Sequence, residues 1–156
     1  MVVVLQEVGL EVNSSYAVAP HHAGVYPVHE ALFSAWRAVW GVAVTSTEEY
    51  PHQKPASRRR GFVHRRIAVL PRQPCGLFTK TKTLEDFPGG ETALLASVEG
   101  GELFFTFLLN PFLVFMTHSN NYALERLAPF LFLTQLRFLE AWTRLEIRWM
   151  PPLQMA

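Results

Sequence analysis

Two histidine settings, one cysteine and a run of arginines are the residues in this sequence whose types and spacing suit chemistry. His118 leaves the apolar run Phe112-Leu-Val-Phe-Met116 through Thr117 and enters the polar stretch Ser119-Asn120-Asn121. An imidazole titrates near neutrality, so a histidine at a strand-to-loop exit suits a general acid or base. The alternative is a loop histidine that only hydrogen-bonds locally. His21 and His22 stand side by side in Ala19-Pro-His-His-Ala-Gly24, between apolar segments. They can hold a substrate or a metal, but adjacent side chains on an extended chain point opposite ways, which disfavours both binding one ion. Structural hydrogen bonding is the competing reading. Cys75 has nucleophile chemistry, yet no histidine lies near it in sequence, and a buried or simply exposed thiol is the plainer interpretation.

The segment Lys54 to Arg66 holds six of the fourteen basic residues (Lys54, Arg58, Arg59, Arg60, Arg65 and Arg66) and no acidic one. Guanidinium forks pair bidentately with sulfate, carboxylate or phosphate, so Arg59, Arg60 and their neighbours suit an anionic polymer; a solvated loop is the alternative. Asn13-Ser-Ser15 fits the N-glycosylation pattern.

The elements that must position these residues follow from periodicity. Val28, Leu32, Ala35, Trp36, Val39 and Trp40 fall on one face of a helix running from about Pro27, which sits in its first turn, to Gly41. Val42–Thr45 reads as a strand, 46–66 as mostly loop, and Ile67–Leu70 as a strand stopped by Pro71. Pro88-Gly-Gly90 and Gly100-Gly101 mark turns, and Glu102–Leu109 a short buried helix. Phe112–Thr117 is the clearest buried strand, followed by a helix that Asn120 or Asn121 caps. In that helix Leu131, Phe132, Leu136, Leu139 and Trp142 share one arc, opposite Thr134, Arg137 and Glu140. Leu145–Trp149 alternates as a last strand. Helices alternating with strands predict an α/β fold with mainly parallel pairing.

At 156 residues the chain fits one domain or a large piece of one, and 49% hydrophobic with 17% charged residues argues against disorder. A formal net charge of +1 provides no global field toward nucleic acid or a membrane surface. The single cysteine excludes an intrachain disulfide and any cysteine-rich zinc site. The most apolar stretch, 103–116, is too short and too broken at Asn110-Pro111 to cross a bilayer, and Met1–Leu5 lacks the build of a signal peptide.

Several blocks together resemble the heparan sulfate N-deacetylase/N-sulfotransferases. They are Tyr16-Ala-Val-Ala-Pro-His-His-Ala-Gly-Val-Tyr-Pro-Val-His29, Val44-Thr-Ser-Thr-Glu-Glu-Tyr-Pro-His52 and Lys54-Pro-Ala56, then Arg59-Arg-Gly-Phe62, Val69-Leu-Pro-Arg-Gln73 and Cys75-Gly-Leu-Phe-Thr79. Pro88-Gly-Gly90, Gly100-Gly-Glu-Leu-Phe104, Leu108-Leu-Asn-Pro111, Phe115-Met-Thr-His118 and Asn121-Tyr122 continue the match in order. The resemblance implies an α/β fold that is part of a distorted β/α barrel of the polysaccharide deacetylase type. Residues 1–156 would be the C-terminal portion of that deacetylase domain, with the sulfotransferase domain absent. It implies N-deacetylation of N-acetylglucosamine units during heparan sulfate biosynthesis, in a membrane-anchored Golgi enzyme that uses zinc or a similar divalent ion. His118 matches the superfamily's general acid, and His21 and His22 stand where its substrate groove is lined.

The departures are equally specific. The superfamily's Asp-Asp pair has no counterpart, because Asp86 is the one aspartate, and no two histidines have the metal-binding spacing of three or four. The metal ligands are therefore expected outside this chain. No Pro-Lys-Thr-Gly-Thr loop for a phosphosulfate donor occurs; it is expected just after Ala156. Where the family has Asn-Gly after its equivalent of His64, this chain has Arg65-Arg66. After His118 it reads Ser-Asn-Asn-Tyr-Ala-Leu-Glu in place of Leu-Ser-Asn-Tyr-Gly-Asn-Asp. A non-catalytic, polyanion-binding fragment or degenerate paralogue is the alternative from another class.

Overall fold

β-branched residues favour extended backbone, and the chain makes three short strands where they cluster. In the computed structural model, which describes residues 15–47 and 60–156, these are β1 (Val44–Thr47), β2 (Phe62–His64) and β3 (Ile67–Pro71). Their order is β1-β3-β2, with β1 parallel and β2 antiparallel to β3. The register sets Val44 opposite Ala68 and Thr47 opposite Pro71, and Phe62 opposite Val69 and His64 opposite Ile67. Tyr16 bridges to Val44 along the other edge of β1, where the Ala17 N–H donates to the Val44 carbonyl at 3.2 Å.

This sheet belongs to the first of two compact units, residues up to Pro71 together with Trp149–Ala156; the second is Arg72–Arg148. The sheet unit packs helix α1 (Glu30–Ala35), which continues through a wider turn at Trp36–Trp40. Phe33, Trp36, Val42 and Ile67 form one buried cluster, and Val25 and Val69 another. The chain passes so close to Trp36 at Gly24 that a Cβ there would lie 2.1 Å from the indole ring.

Several expectations are corrected. Helix α1 starts three residues after Pro27, because His29 caps it: its Nδ1 accepts the Leu32 N–H at 3.2 Å. The widened turn at Trp36 breaks the 3.6-residue period, so Val39 and Trp40 are exposed despite sharing the apolar arc. The first strand lies two residues later than expected, because Ser46 and Thr47 are buried strand residues and Tyr16 satisfies Ser46, hydroxyl to hydroxyl at 3.0 Å. Within the stretch read as loop, Phe62–His64 pairs with β3 through a two-residue turn.

The second unit is helical: α2 (Gly90–Val98), α3 (Glu102–Leu109) and α4 (Leu127–Trp142). α2 and α3 meet at Gly100-Gly101, where a Cβ on Gly101 would lie 2.4 Å from the Ala96 carbonyl oxygen. By length and composition alone Gly90–Leu109 is apolar enough to cross a membrane, but this turn breaks it into two helices. The core joins Leu77, Phe87, Leu94, Val98, Leu103, Phe107, Leu127, Leu131 and Leu139.

Here too the outcome differs from the pattern. The stripe that α4 buries is Leu127, Ala128, Leu131, Gln135 and Leu139, leaving Leu136 40% and Trp142 75% exposed. Arg126 in a left-handed conformation precedes α4, and neither Asn120 nor Asn121 caps it. Phe112–Thr117 is half-buried and carries one bridge, Phe115 to Gln73. The Gln73 amide does the work of a neighbouring strand: its Nε2 donates to the Phe112 carbonyl at 3.2 Å and its Oε1 accepts the Val114 N–H at 3.0 Å. Leu145–Trp149 pairs with no strand among the described residues, and Trp149 is 87% exposed. The architecture is thus mixed α/β with a small three-stranded sheet.

The β2–β3 turn is Arg65-Arg66, with φ of 47° and 73°. A two-residue hairpin turn with both φ positive is the geometry that asparagine and glycine favour and that other side chains resist. Arg65 has compensation: its guanidinium lies 2.7 Å from Glu30 and 5.3 Å from the Phe33 ring centroid. The hydrogen bond from Arg65 holds the Glu30 carboxyl below its usual range. Arg66 has no ionic partner among the described residues. Arg66→Gly is therefore expected to stabilise the chain by about 0.5–1 kcal/mol, whereas Arg65→Gly gains nothing because it gives up Glu30 and Phe33. Denaturant melts of the two variants check this, and equal effects would contradict it.

Candidate functional site

The polar turn after Met116 is built from the backbone up. Apolar side chains hold 112–116 against the helical core, with Phe115 stacked on Phe107 at 5.4 Å and tilted against Phe132 at 5.1 Å. Met116 is fixed through its carbonyl, which the buried Cys75 thiol approaches at 3.7 Å. The chain then turns through a short 3-10 helix, Ser119–Tyr122, that starts just after His118.

Asn121 holds this turn. It is completely buried, and its side chain uses both ends. Oδ1 accepts the His118 N–H at 2.7 Å, while Nδ2 donates to the carbonyls of Phe78 and Thr81 at 2.9 and 2.8 Å. Asn120 Nδ2 adds a bond to the Thr79 carbonyl at 2.9 Å, and the hydroxyls of Thr117 and Tyr122 pair at 2.9 Å. Two loops distant in sequence, 78–81 and 117–122, thereby become one rigid piece. His118 sits on it half-buried, with the Thr79 hydroxyl 3.3 Å from each ring nitrogen. A histidine on a held backbone, half-buried and with a hydroxyl within reach of either ring nitrogen, can hold or move a proton.

The loop below is equally determined. Asp86 Oδ2 accepts the N–H groups of Lys82 and Thr83 at 3.0 and 3.1 Å, and the Lys82 bond foremost holds its carboxyl below the usual range. Glu125 Oε2 accepts the Leu84 N–H at 2.6 Å. The one aspartate in the chain thus braces the 82–86 turn, and it is not placed as a base. Among the described residues no three His, Cys, Asp or Glu side chains converge as metal ligands.

Beside this turn lies a groove of about 460 Å³, lined by Pro74, Cys75, Phe78, Phe87, Ser97 and Glu102 among others. His118 does not line it, but Phe78 does, one residue from the Thr79 that His118 touches.

The remaining expected site residues fall in the sheet unit. His21 is exposed, in a left-handed conformation (φ 49°), within the turn Pro20–His22 that also contains His22. Arg60 is exposed just before β2, and Arg59 lies outside the described residues. No hydrogen bond or ion pair joins His21 to Arg60. Sequence reasoning missed Asn121, Thr79 and Gln73 as positioning residues. The one available signal was the polar pair Asn120-Asn121 immediately after His118, which reads equally well as a helix cap.

Fold and site together define a mixed α/β chain whose candidate chemistry rests on one turn-mounted histidine. A family model described as heparan sulfate N-deacetylase, deacetylase domain, matches residues 3–104. Bifunctional heparan sulfate N-deacetylase/N-sulfotransferase 4 of Mus musculus and its counterpart 1 of Homo sapiens are each 55% identical over 150 residues, covering 96% of this chain and 17% of their own length. Counterpart 1 of Caenorhabditis elegans is 54% identical over 148 residues, covering 95% of the chain and 17% of its own. The chain belongs to the heparan sulfate N-deacetylase family, and it spans about one sixth of the length of these curated relatives. His118 lies beyond the family-model match and within the stretch shared with the relatives.

Asn121→Ala would leave the Thr81 carbonyl and the His118 N–H without their partner, and the Phe78 carbonyl with only the Thr81 N–H. Each lost partner costs about 1–3 kcal/mol, so a loss of roughly 3 kcal/mol is expected. Thermal unfolding measures it, and a loss under about 1 kcal/mol would show that the turn is held by other contacts.

Proposed function

We propose that this chain supplies the proton-donor part of an N-deacetylase acting on N-acetylglucosamine units of a heparan sulfate precursor. The names of its relatives carry that activity, and the observation that carries it here is His118 itself, its main-chain N–H held by Asn121 and its half-buried ring beside the Thr79 hydroxyl. In amide hydrolysis, oxygen from water bonds to the acetyl carbon and the C–N bond breaks. The departing nitrogen takes a proton, leaving acetate and a free amine. Protonated His118 gives that proton, which an amine leaving group requires near neutral pH.

The wider context is part of the same proposal. The chain would be the C-terminal portion of a deacetylase domain with a distorted β/α barrel fold, in a Golgi-lumenal, membrane-anchored enzyme whose separate domain N-sulfates the freed amine. That enzyme would use zinc or a similar divalent ion. The described residues do not fit such a centre, since Asp86 braces its own turn and no ligand group converges. The step assigned to His118 does not depend on it. Substrate contacts proposed for the sheet unit are His21, His22, Arg59 and Arg60.

The test is a full-length relative carrying residues 1–156 in place of its own matching stretch. There His118→Gln is expected to lower kcat by about 10²–10⁴-fold with unchanged thermal melting. Near-normal turnover would make His118 a structural loop residue. The 156-residue chain alone is expected to release no acetate from N-acetylheparosan.

A second reading, a polyanion-binding module without catalysis, is favoured by Arg60 and Arg66, both exposed and without ionic partners among the described residues. Replacing both with alanine is expected to lower the salt concentration that elutes the chain from heparin, because screened charge contacts hold it there. Arg65→Ala should change elution less, since Glu30 already neutralises that guanidinium. Unchanged elution in the double variant would leave these arginines as a solvated surface.

A further inference from the structure

The groove beside the His118 turn has a composition that the hydrolytic step does not use. Its lining includes Pro74, Phe78, Phe87 and Pro88, the small residues Gly76, Ala93 and Ala96, and one charged residue, Glu102. Phe78 is 53% exposed, an unusual state for a phenylalanine whose neighbours Cys75 and Leu77 are buried. The Glu102 side chain has no hydrogen bond or ion pair among the described residues, and the Ser97 hydroxyl is taken up by the Leu103 N–H at 3.1 Å. An exposed aromatic ring and an unpaired carboxylate lining one groove are complementary to a cation carried on a ring with a C–H face: the ring quadrupole and the carboxylate both attract it. A neutral acetamido group gains from neither.

We propose that this groove binds a glucosamine residue through its free ammonium group, with Glu102 pairing the charge and Phe78 lying against the sugar. The proposal rests on the deacetylase reading for the source of that ammonium, which is the sugar left after acetyl removal. Location favours it. In the segment 74–79, Pro74, Cys75, Gly76 and Phe78 line the groove and Thr79 makes the His118 contact, one residue step or about 3.8 Å of backbone after Phe78. Asn121 holds that segment to the His118 turn through the Phe78 carbonyl. A chain of sugars threading past His118 would carry its newly freed amine to the next position, so the groove selects polymer already processed on one side. The competing account makes Glu102 only a first-turn acid that favours helix α3.

The test uses the 156-residue chain with two probes, a heparosan hexasaccharide and the same hexasaccharide after chemical de-N-acetylation, titrated by calorimetry. Both carry the same uronates, so the difference isolates the amine. The de-N-acetylated probe is expected to bind about five-fold tighter. Glu102→Gln should abolish that preference without changing thermal melting, and Phe78→Ala should weaken the de-N-acetylated probe while Phe78→Trp restores it. Equal affinity for the two probes, no binding of either, or a preference that survives Glu102→Gln would overturn the proposal. The deacetylase reading fails separately: it falls if the His118→Gln chimera releases acetate normally, whatever the groove prefers.

Discussion

The side chain of Asn121 is the constraint on which the second unit depends. A buried primary amide has one good acceptor and two donors, and it is costly unless all are used. Here the acceptor takes the His118 N–H, and the donors reach two carbonyls about forty residues back in the chain. No helix or strand ladder joins 78–81 to 117–122, so backbone pairing could not do this. This amide, with Asn120 bonding Thr79 beside it, closes a loop of that length and leaves His118 on a fixed backbone, which the proton-donor role proposed for it needs and which a mobile loop would not supply. Aspartate at this position would lose the donors, and leucine would strand the His118 N–H and the Thr81 carbonyl.

Gln73, the residue just before the groove-lining Pro74, repeats the device. Its amide bonds the backbone of 112–114 as a strand would, so a segment with strand-like sequence needs no strand beside it. The two amides brace the ends of one stretch, 112–121, and the Cys75 thiol and the Phe107–Phe115–Phe132 stack hold its middle. Polar side chains thus define the backbone path while aromatic rings fill the space beneath it. That division explains why the stretch is only half-buried yet well determined.

How much of this was legible in the sequence depends on which force decides each element. Helix α3 was readable from apolar spacing and local turn signals, and α4 was readable as a helix but not in the face it buries, where Gln135 takes the place of Leu136 and Trp142. The helix after Pro27 was readable in existence but not in its start, which a histidine side chain decides, nor in its end, where a wider turn abandons the 3.6-residue period. Ser46 and Thr47 look like loop residues and are buried strand, because Tyr16 supplies a hydroxyl from thirty residues away. Leu145–Trp149 alternates like a strand, but alternation only prepares a strand for a partner and cannot provide one. His118 stood out through its local contrast between apolar run and polar exit. Its supports did not, since long-range side-chain to backbone bonds leave no period in the sequence.

The hairpin turn shows how a local rule can be overridden and at what cost. The resemblance expects Asn-Gly after His64, the pair that adopts positive φ with least strain, and this chain has two arginines with the same backbone conformation. Two arginines held at positive φ imply that β2–β3 pairing and the packing beneath are strong enough to impose the turn. Ile67 and Val69 are buried on one side of that ladder, and Phe33 receives both the His64 ring edge and the Arg65 guanidinium on the other element. Arg65 recovers part of its strain through Glu30 and Phe33, and Arg66 recovers none from the described residues. The turn therefore carries one uncompensated positive charge, Arg66, at its tip, since Arg65 is paired with Glu30. Charge has replaced conformational ease at a point where the backbone has no freedom to respond, and that makes the tip a fixed electrostatic feature in place of a flexible basic loop.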